Sequence, residues 1–268
     1  MTWWWILYLL LIALALYALV WLIAYYYLAP RLSFRPPPIS QAVGEDTFWL
    51  THENGARIEV CWFARERADH GVIFYQHGNA ELLSDIHPRL HYLSEITQMA
   101  VFAYEYRGYG YSDGRATLAN MQQDALLAWD YLIQQGYKAT NVIVYGRSLG
   151  SSNATLITNR KQPLRAMILE VPMWDAFRIY ADLFWTWRSH LENGRRISTI
   201  SVPTLILYAK DDALIRPWHS SALLKASVAS IKQRVGFSCA HAEIPEQVDY
   251  HQTLNAFLDT LPHKASAP

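Results

Sequence analysis

Cysteine is scarce in this chain: the 268 residues hold only Cys61 and Cys239. Neither belongs to a C-x-x-C pair, so no disulfide framework and no zinc pattern can be built from them. Two buried free thiols are the default, and they fit a reducing compartment. A charge bias is also missing. The 23 basic and 23 acidic residues cancel, which gives no footing for a nucleic-acid partner. Gly108, Gly110 and Gly114 do not give the dinucleotide spacing G-x-G-x-x-G, and the acidic residue that should follow it is not evident. His87 and His91 share a helix face, but without H-E-x-x-H or a third ligand they read as an ordinary surface pair. The expectation is no cofactor, no metal and no nucleic acid. There is no internal repeat.

Charge is absent from one place altogether. Residues 1–30 carry no charged side chain. As a helix this run is long enough to cross a hydrocarbon core of about 30 Å. Trp3 to Trp5 lie near one end and Tyr25 to Tyr27 near the other, as interfacial aromatic belts do. A cleaved signal peptide would need a basic start, a shorter apolar core and small residues at a cleavage site; none is present. A buried core helix would not be apolar on every face at a terminus. A single-pass membrane anchor is therefore expected. Arg31 and Arg35 follow it and no Lys or Arg precedes it, so the positive-inside tendency favours a cytoplasmic domain. The margin is two arginines against one α-amino group, and the opposite orientation stays open.

Residues 31–40 include Arg35-Pro-Pro-Pro-Ile, a stiff spacer, because consecutive prolines keep the chain extended. Residues 41–268 are mixed in composition and long enough for one domain with a sizeable core. Strands are expected at Thr47–Leu50 and Arg57–Phe63, joined through Asn54-Gly55 as a hairpin. Further strands are expected at Gly71–Gln76, Ala100–Tyr106, 141–145, Ala166–Glu170, Thr204–Tyr208 and Gln233–Phe237. Helices are expected at Pro88–Thr97, Leu118–Gln135, after Ser148 to about Asn159, at Pro217–Ala229 and at Glu246–Leu261. Strands alternating with helices require crossover connections and a mainly parallel sheet covered on both faces. Residues 174–198 break the alternation and include Phe184-Trp185-Thr186-Trp187. Two readings stand: an amphipathic helix packed on the domain, or a small lid whose aromatics line an acyl pocket.

The chemistry concentrates at Gly146-Arg147-Ser148-Leu149-Gly150. A β-branched run ends there and a helix-forming stretch follows, which is the context that gives G-x-S-x-G its meaning. A serine on so sharp a turn is pushed out at the sheet edge, and a side chain at either glycine would collide with a neighbouring strand or helix. The hydroxyl needs a base, and the base needs a carboxylate to fix its tautomer. In this kind of sheet the order along the chain is Ser, Asp, His, each just past a strand. Asp211 and Asp212 follow the Thr204 strand. His241 lies between the last strand and the last helix, while its rival His251 falls inside that helix. Donors for a developing oxyanion are also required. The expected ones are the N–H groups of Asn79, in His77-Gly78-Asn79-Ala80, and of Leu149.

Taken together, His77-Gly78-Asn79-Ala80, Tyr106-Arg-Gly-Tyr-Gly-Tyr-Ser-Asp-Gly114, Gly146-Arg-Ser-Leu-Gly150, Leu169-Glu-Val-Pro172 and Asp212-Ala-Leu-Ile resemble the α/β-hydrolases. More narrowly, the chain is similar to the membrane-anchored Bem46-like branch of serine hydrolases. The resemblance implies an eight-stranded, mainly parallel sheet with flanking helices. It also implies Ser148, Asp212 and His241 as nucleophile, acid and base, favouring Asp212 over Asp211. Glu170, where some relatives keep the acid, is a minor alternative. Two departures are visible: Ala209 stands where a glycine is common, and His241-Ala242-Glu243 where His-Asn-Asp is often seen. The expected activity is cleavage of carboxylic esters or thioesters, small or lipid-derived. A peptidase or amidase and an inactive membrane-tethered scaffold are the alternatives.

Overall fold

The computed structural model describes residues 3–23, 34–40, 44, 46–161, 163–180 and 191–262. Its contacts divide the chain into two units, Met1–Arg35 and Pro36–Pro268. The first contains helix α1 (Trp4–Ile23), 20 residues with no buried side chain and an 18-residue stretch of mean hydropathy 2.8. By length and composition it is sufficient to cross a membrane.

The second unit is built on one eight-stranded sheet. Its strands are β1 (Thr47–Thr51), β2 (Arg57–Phe63), β3 (Val72–Gln76), β4 (Ala100–Tyr104), β5 (Val142–Arg147), β6 (Ala166–Glu170), β7 (Thr204–Ala209) and β8 (Lys232–Phe237). Their spatial order is β1-β2-β4-β3-β5-β6-β7-β8. The first two strands run antiparallel to their neighbours, and the other six are parallel. The β1–β2 hairpin closes at Asn54-Gly55: Gly55 takes φ 84° and its N–H donates to the His52 carbonyl at 2.8 Å. A positive φ is where glycine has no steric penalty. Strands β3 to β6 are buried along their whole length, as strands covered on both faces must be.

The crossovers are α2 (Leu83–Thr97), α3 (Leu118–Gln134) and α4 (Gly150–Lys161); α5 (Phe177–Tyr180), α6 (Asn193–Ile197), α7 (Trp218–Ala226) and α8 (Tyr250–Asp259) follow. Thr117 caps α3 by accepting the Asn120 N–H at 3.1 Å, satisfying one of the helix's orphan donors. Several boundaries differ from the sequence expectation. Helix α2 begins at Leu83 and runs through Pro88. Its buried Leu83, Ile86, Leu90 and Leu93 keep helical spacing, and that burial outweighs one missing N–H bond. Helix α7 stops at Ala226 rather than 229. The last helix starts at Tyr250, after a 3-10 turn at Ile244–Glu246. At the start of the unit, the Ser40 hydroxyl donates to Asp85 at 2.8 Å, so that end of the proline-rich segment is fastened to α2. The middle of the expected lid, with Trp185 and Trp187, lies outside the described residues.

Because β3 to β8 are parallel, the loops that leave them open on one edge. The chain turns one way from β3 to β4 and the other way from β5 onward, which leaves a switch point between β3 and β5. In open α/β sheets ligands bind at such points. Ser148 follows β5 and sits there.

Candidate active site

Ser148 has φ 50°, a left-handed backbone rare for a residue with a side chain. The turn is fixed on both sides. The Ser148 N–H donates to the Glu170 carbonyl at 2.9 Å, and the Ser148 carbonyl accepts the Ser151 N–H at 3.0 Å. The Ser151 hydroxyl donates to the same carbonyl at 2.6 Å. The flanking glycines have a steric reason. A Cβ at Gly146 would meet the Ala154 Cβ at 2.5 Å, and one at Gly150 would run into the carbonyls of Gln76 and His77. The helix therefore approaches β3 as closely as its backbone allows.

Three polar side chains meet at this edge. His241 Nε2 lies 3.2 Å from Ser148 Oγ, and His241 Nδ1 lies 2.6 Å from Asp212 Oδ2. With the Nδ1 proton donated to Asp212, Nε2 is left to accept the serine proton. The second oxygen of Asp212 accepts the N–H groups of Leu214 at 2.9 Å and Ile215 at 2.7 Å. That carboxylate is oriented by backbone as well as by histidine. Asp211 is exposed and its neighbour takes the place at the imidazole. His251 is exposed on α8. Glu170 is fully buried and engaged by Arg147 and the Tyr145 hydroxyl. Glu243 accepts the Ala240 N–H at 2.9 Å, which braces the loop in front of His241.

The loop after β3 comes close to the serine: a Cβ at Gly78 would lie 3.6 Å from the Ser148 Cβ. Asn79 is the next residue after Gly78, and Leu149 the next after Ser148. This loop is held by the Tyr106-to-Gly114 motif. The Tyr106 hydroxyl donates to the His77 carbonyl at 2.7 Å, and the Tyr109 hydroxyl donates to Asn79 Oδ1 at 2.6 Å. Arg107 anchors the motif itself, its Nε 2.6 Å from buried Asp124. His77 Nδ1–H donates to the Gly78 carbonyl at 2.8 Å. Its Nε2 is 2.7 Å from Glu105 Oε1, an ion-pair contact rather than a well-aligned hydrogen bond. Burial pulls the His77 pKa down, but Glu105 beside it outweighs that and holds the imidazole above its ordinary value.

The supporting side chains Glu81, Glu105, Tyr109 and Arg147 were not singled out by sequence reasoning. The one signal was position: each lies inside or beside a motif quoted for the resemblance. No cluster of three or more His, Cys, Asp or Glu suited to a metal ion occurs among the described residues. His87 packs edge-on against Phe63, and exposed His91 pairs with Glu95 at 3.5 Å. A cavity of about 590 Å³ opens beside these two histidines, lined also by Phe48, Trp62 and Arg67. None of Ser148, Asp212 or His241 lines it.

A serine elbow at the switch point of such a sheet, with His and Asp on the later strand ends, defines the α/β-hydrolase class. Residues 67–192 match the family model described as serine aminopeptidase, S33. The chain has the α/β-hydrolase fold and is similar in sequence to the Bem46-like branch of α/β hydrolases. The α/β hydrolase domain-containing protein aho-3 of Caenorhabditis elegans is 25% identical over 193 residues, 71% of this chain and 58% of its own. Human α/β hydrolase domain-containing protein 17B is 28% identical over 218 residues, 80% of this chain and 75% of its own. This chain thus spans little more than half of the nematode relative. An esterase from Pyrococcus furiosus has the same fold, with TM-score 0.69 at 14% identity, covering 85% of this chain and 97% of that one. So does Est1E of Butyrivibrio proteoclasticus, with TM-score 0.64 at 15% identity over 80% and 100%.

Proposed function

We propose that this protein is a membrane-anchored serine hydrolase that cleaves carboxylic esters or thioesters through an acyl-serine intermediate. The observation that carries the reading is the hydrogen-bonded series Asp212–His241–Ser148, with separations of 2.6 and 3.2 Å. His241 takes the Ser148 proton as Oγ attacks the acyl carbon. The N–H groups of Asn79 and Leu149 receive the oxyanion. Collapse expels the alcohol or thiol, which leaves with the proton held by His241. Water, deprotonated by the same imidazole, then releases the acid and restores the serine. Asp212 keeps its charge and holds the imidazolium throughout.

Residues 1–30 are the anchor, 31–40 the linker and 41–268 the hydrolase domain. The anchor keeps the site near a bilayer, which favours lipid-derived or acylated substrates among small esters. The domain faces the cytoplasm on the arginine count at Arg31 and Arg35. A peptidase or amidase is the second reading, favoured by the match to a serine aminopeptidase family model. The same series of groups serves either leaving group.

A fluorophosphonate probe tests the enzyme assignment. The wild type should label and Ser148→Ala should not, and the variant should lose about 10⁴-fold or more in kcat/KM. A folded wild type that stays unlabelled, or labelling that survives Ser148→Ala, returns the chain to a tethered scaffold. Esters of graded acyl length, set beside an amide series, separate the esterase from the peptidase.

A further inference from the structure

We propose that Arg147, the residue between the elbow glycine and Ser148, is a positioning residue whose buried guanidinium locks the oxyanion loop and the histidine loop to the elbow. The inference rests on the serine-hydrolase reading above and goes beyond it.

Arg147 ends β5 with a side chain only 4% exposed. Its three nitrogens address two different loops and the end of β6. Nε donates to Glu81 Oε1 at 2.8 Å, Nη1 to Glu170 Oε1 at 2.5 Å, and Nη2 to the Ala242 carbonyl at 3.4 Å. Glu81 belongs to the loop after β3, two residues beyond Asn79. Its other oxygen accepts the Gly78 N–H at 2.6 Å. The carboxylate thus connects the guanidinium to the backbone immediately before Asn79. Ala242 is the residue after His241. Glu170 closes the set, because its own carbonyl receives the Ser148 N–H.

The network extends without a loose end among the carboxylates. Arg89, from α2, shares Glu81 Oε1 at 2.5 Å. The Tyr145 hydroxyl donates to Glu170 Oε2, and its oxygen lies 3.0 Å from that of Tyr250, the first residue of α8. Burial alone would push the Glu81 carboxyl up, but Arg147 and Arg89 outweigh it and hold the group well below the usual carboxylate range. Both glutamates are matched by an arginine, so the cluster carries no net charge.

Stability does not explain such an arrangement. Buried ion pairs recover their desolvation cost only with good geometry, and packed apolar side chains often serve a core equally well. What a planar guanidinium adds is direction: a rigid fork aims several donors at once, which a lysine ammonium cannot do. Here the directions fix Asn79 and His241 relative to the serine on the next residue. Loosening the fork lets the oxyanion donor and the base drift independently. That affects the transition state more than the bound ester.

Full-length protein in detergent, with a p-nitrophenyl ester as substrate, decides the matter. The variants are Arg147→Lys and Glu81→Gln, each checked by thermal melting. Expected is a kcat lower by about 10- to 100-fold with KM within about twofold. The affinity for a boronic acid mimic of the tetrahedral state should fall in step with kcat/KM, while inhibition by the product acid holds. A folded Glu81→Gln or Arg147→Lys protein with wild-type kcat overturns the proposal. So does a kcat loss that merely follows the unfolded fraction. If Arg147→Lys fails to fold, Glu81→Gln decides alone, since it leaves the Arg147–Glu170 pair in place. A wild type that neither labels nor turns over ester removes the hydrolase reading and this role with it. An active wild type beside an equally active Glu81→Gln removes only the role of Arg147.

Discussion

A carboxyl buried beside another carboxyl resists ionisation, and Glu59 on β2 is such a group. It is 3% exposed. Burial, then the charge of Glu105, raises its pKa from an ordinary 4.5 to about 7, against smaller opposing effects of the Tyr111 N–H and His77. For an acid whose folded pKa is raised, the folded state binds the proton more tightly than the unfolded chain. Its contribution is therefore full below about pH 4.5 and is lost as pH rises through about 7. Glutamine keeps an acceptor for Tyr111 and carries no charge. Glu59→Gln should thus melt above the wild type at pH 8, by about 2–4 °C if the gain is on the order of 1 kcal/mol after solvent screening. The two melting curves should converge at pH 5. Equal melting temperatures at pH 8 would show that Glu59 ionises freely in the folded protein. The same residue shows where sequence reading stops. Nothing in Arg57-Ile-Glu-Val-Cys-Trp-Phe distinguishes an outward glutamate from one beside Glu105, just past the end of β4.

The strand-turn-helix element at Ser148 is legible because its demands are steric and local. Gly146 and Gly150 could be assigned a purpose from spacing alone, and a Cβ at Gly150 indeed has the Gln76 and His77 carbonyls in its way. Gly150→Ala must push α4 away from β3 and so separate the serine from the loop carrying Asn79. Its expected cost is about 1–3 kcal/mol in stability and at least about 100-fold in kcat/KM. Ester kinetics beside a denaturant melt would check both, and an active, equally stable Gly150→Ala protein would contradict the close approach. Other elements were legible for a different reason. The short apolar runs of β3, β5 and β7 announce buried strands by composition. Helix α4 shows the limit. Gly150 to Thr158 are all buried, yet Ser151, Ser152, Asn153, Thr155 and Thr158 give no apolar stripe. Small side chains let the helix sit close to the sheet, and tertiary partners satisfy much of their polarity. Asn153 Nδ2 donates to the Tyr104 hydroxyl at 2.9 Å, and Thr155 Oγ1 to Asn193 Oδ1 at 2.7 Å. Such partners are distant in sequence. The same distance hides the Arg147 network, whose acceptors lie 66, 23 and 95 residues away. The helix expected from near Pro88 starts at Leu83 because burial of Leu83 and Ile86, which only the assembled sheet supplies, outweighs the proline, whereas the helix expected from Glu246 starts at Tyr250, after a mostly exposed turn.

At the scale of the whole chain, the two contact units separate an apolar helix from a domain with its own core. Helix α1 leaves Leu7, Leu9, Leu10, Leu11 and Ile12 each about half exposed or more. Burying a side chain of this kind is worth roughly 1.5–3 kcal/mol, so a helix of twenty such positions in water would drive aggregation unless lipid covers it. At about 1.5 Å per residue its length also matches a hydrocarbon core. The full-length protein should therefore sediment with membranes, resist alkaline carbonate and be released by detergent. A chain starting at Phe34 should stay in the supernatant with its melting temperature intact, since it keeps buried Phe34 and the whole core cluster. Its kcat/KM on a short, water-soluble ester should remain within about twofold of the full chain, because Ser148, Asp212, His241 and every partner of Arg147 are retained. On an ester dispersed in vesicles the truncated protein should fall behind by at least about tenfold, since tethering acts as effective concentration. Equal rates on vesicles would mean that the helix addresses the protein without presenting its substrate. Release of the full chain by carbonate would mean that it is not an anchor.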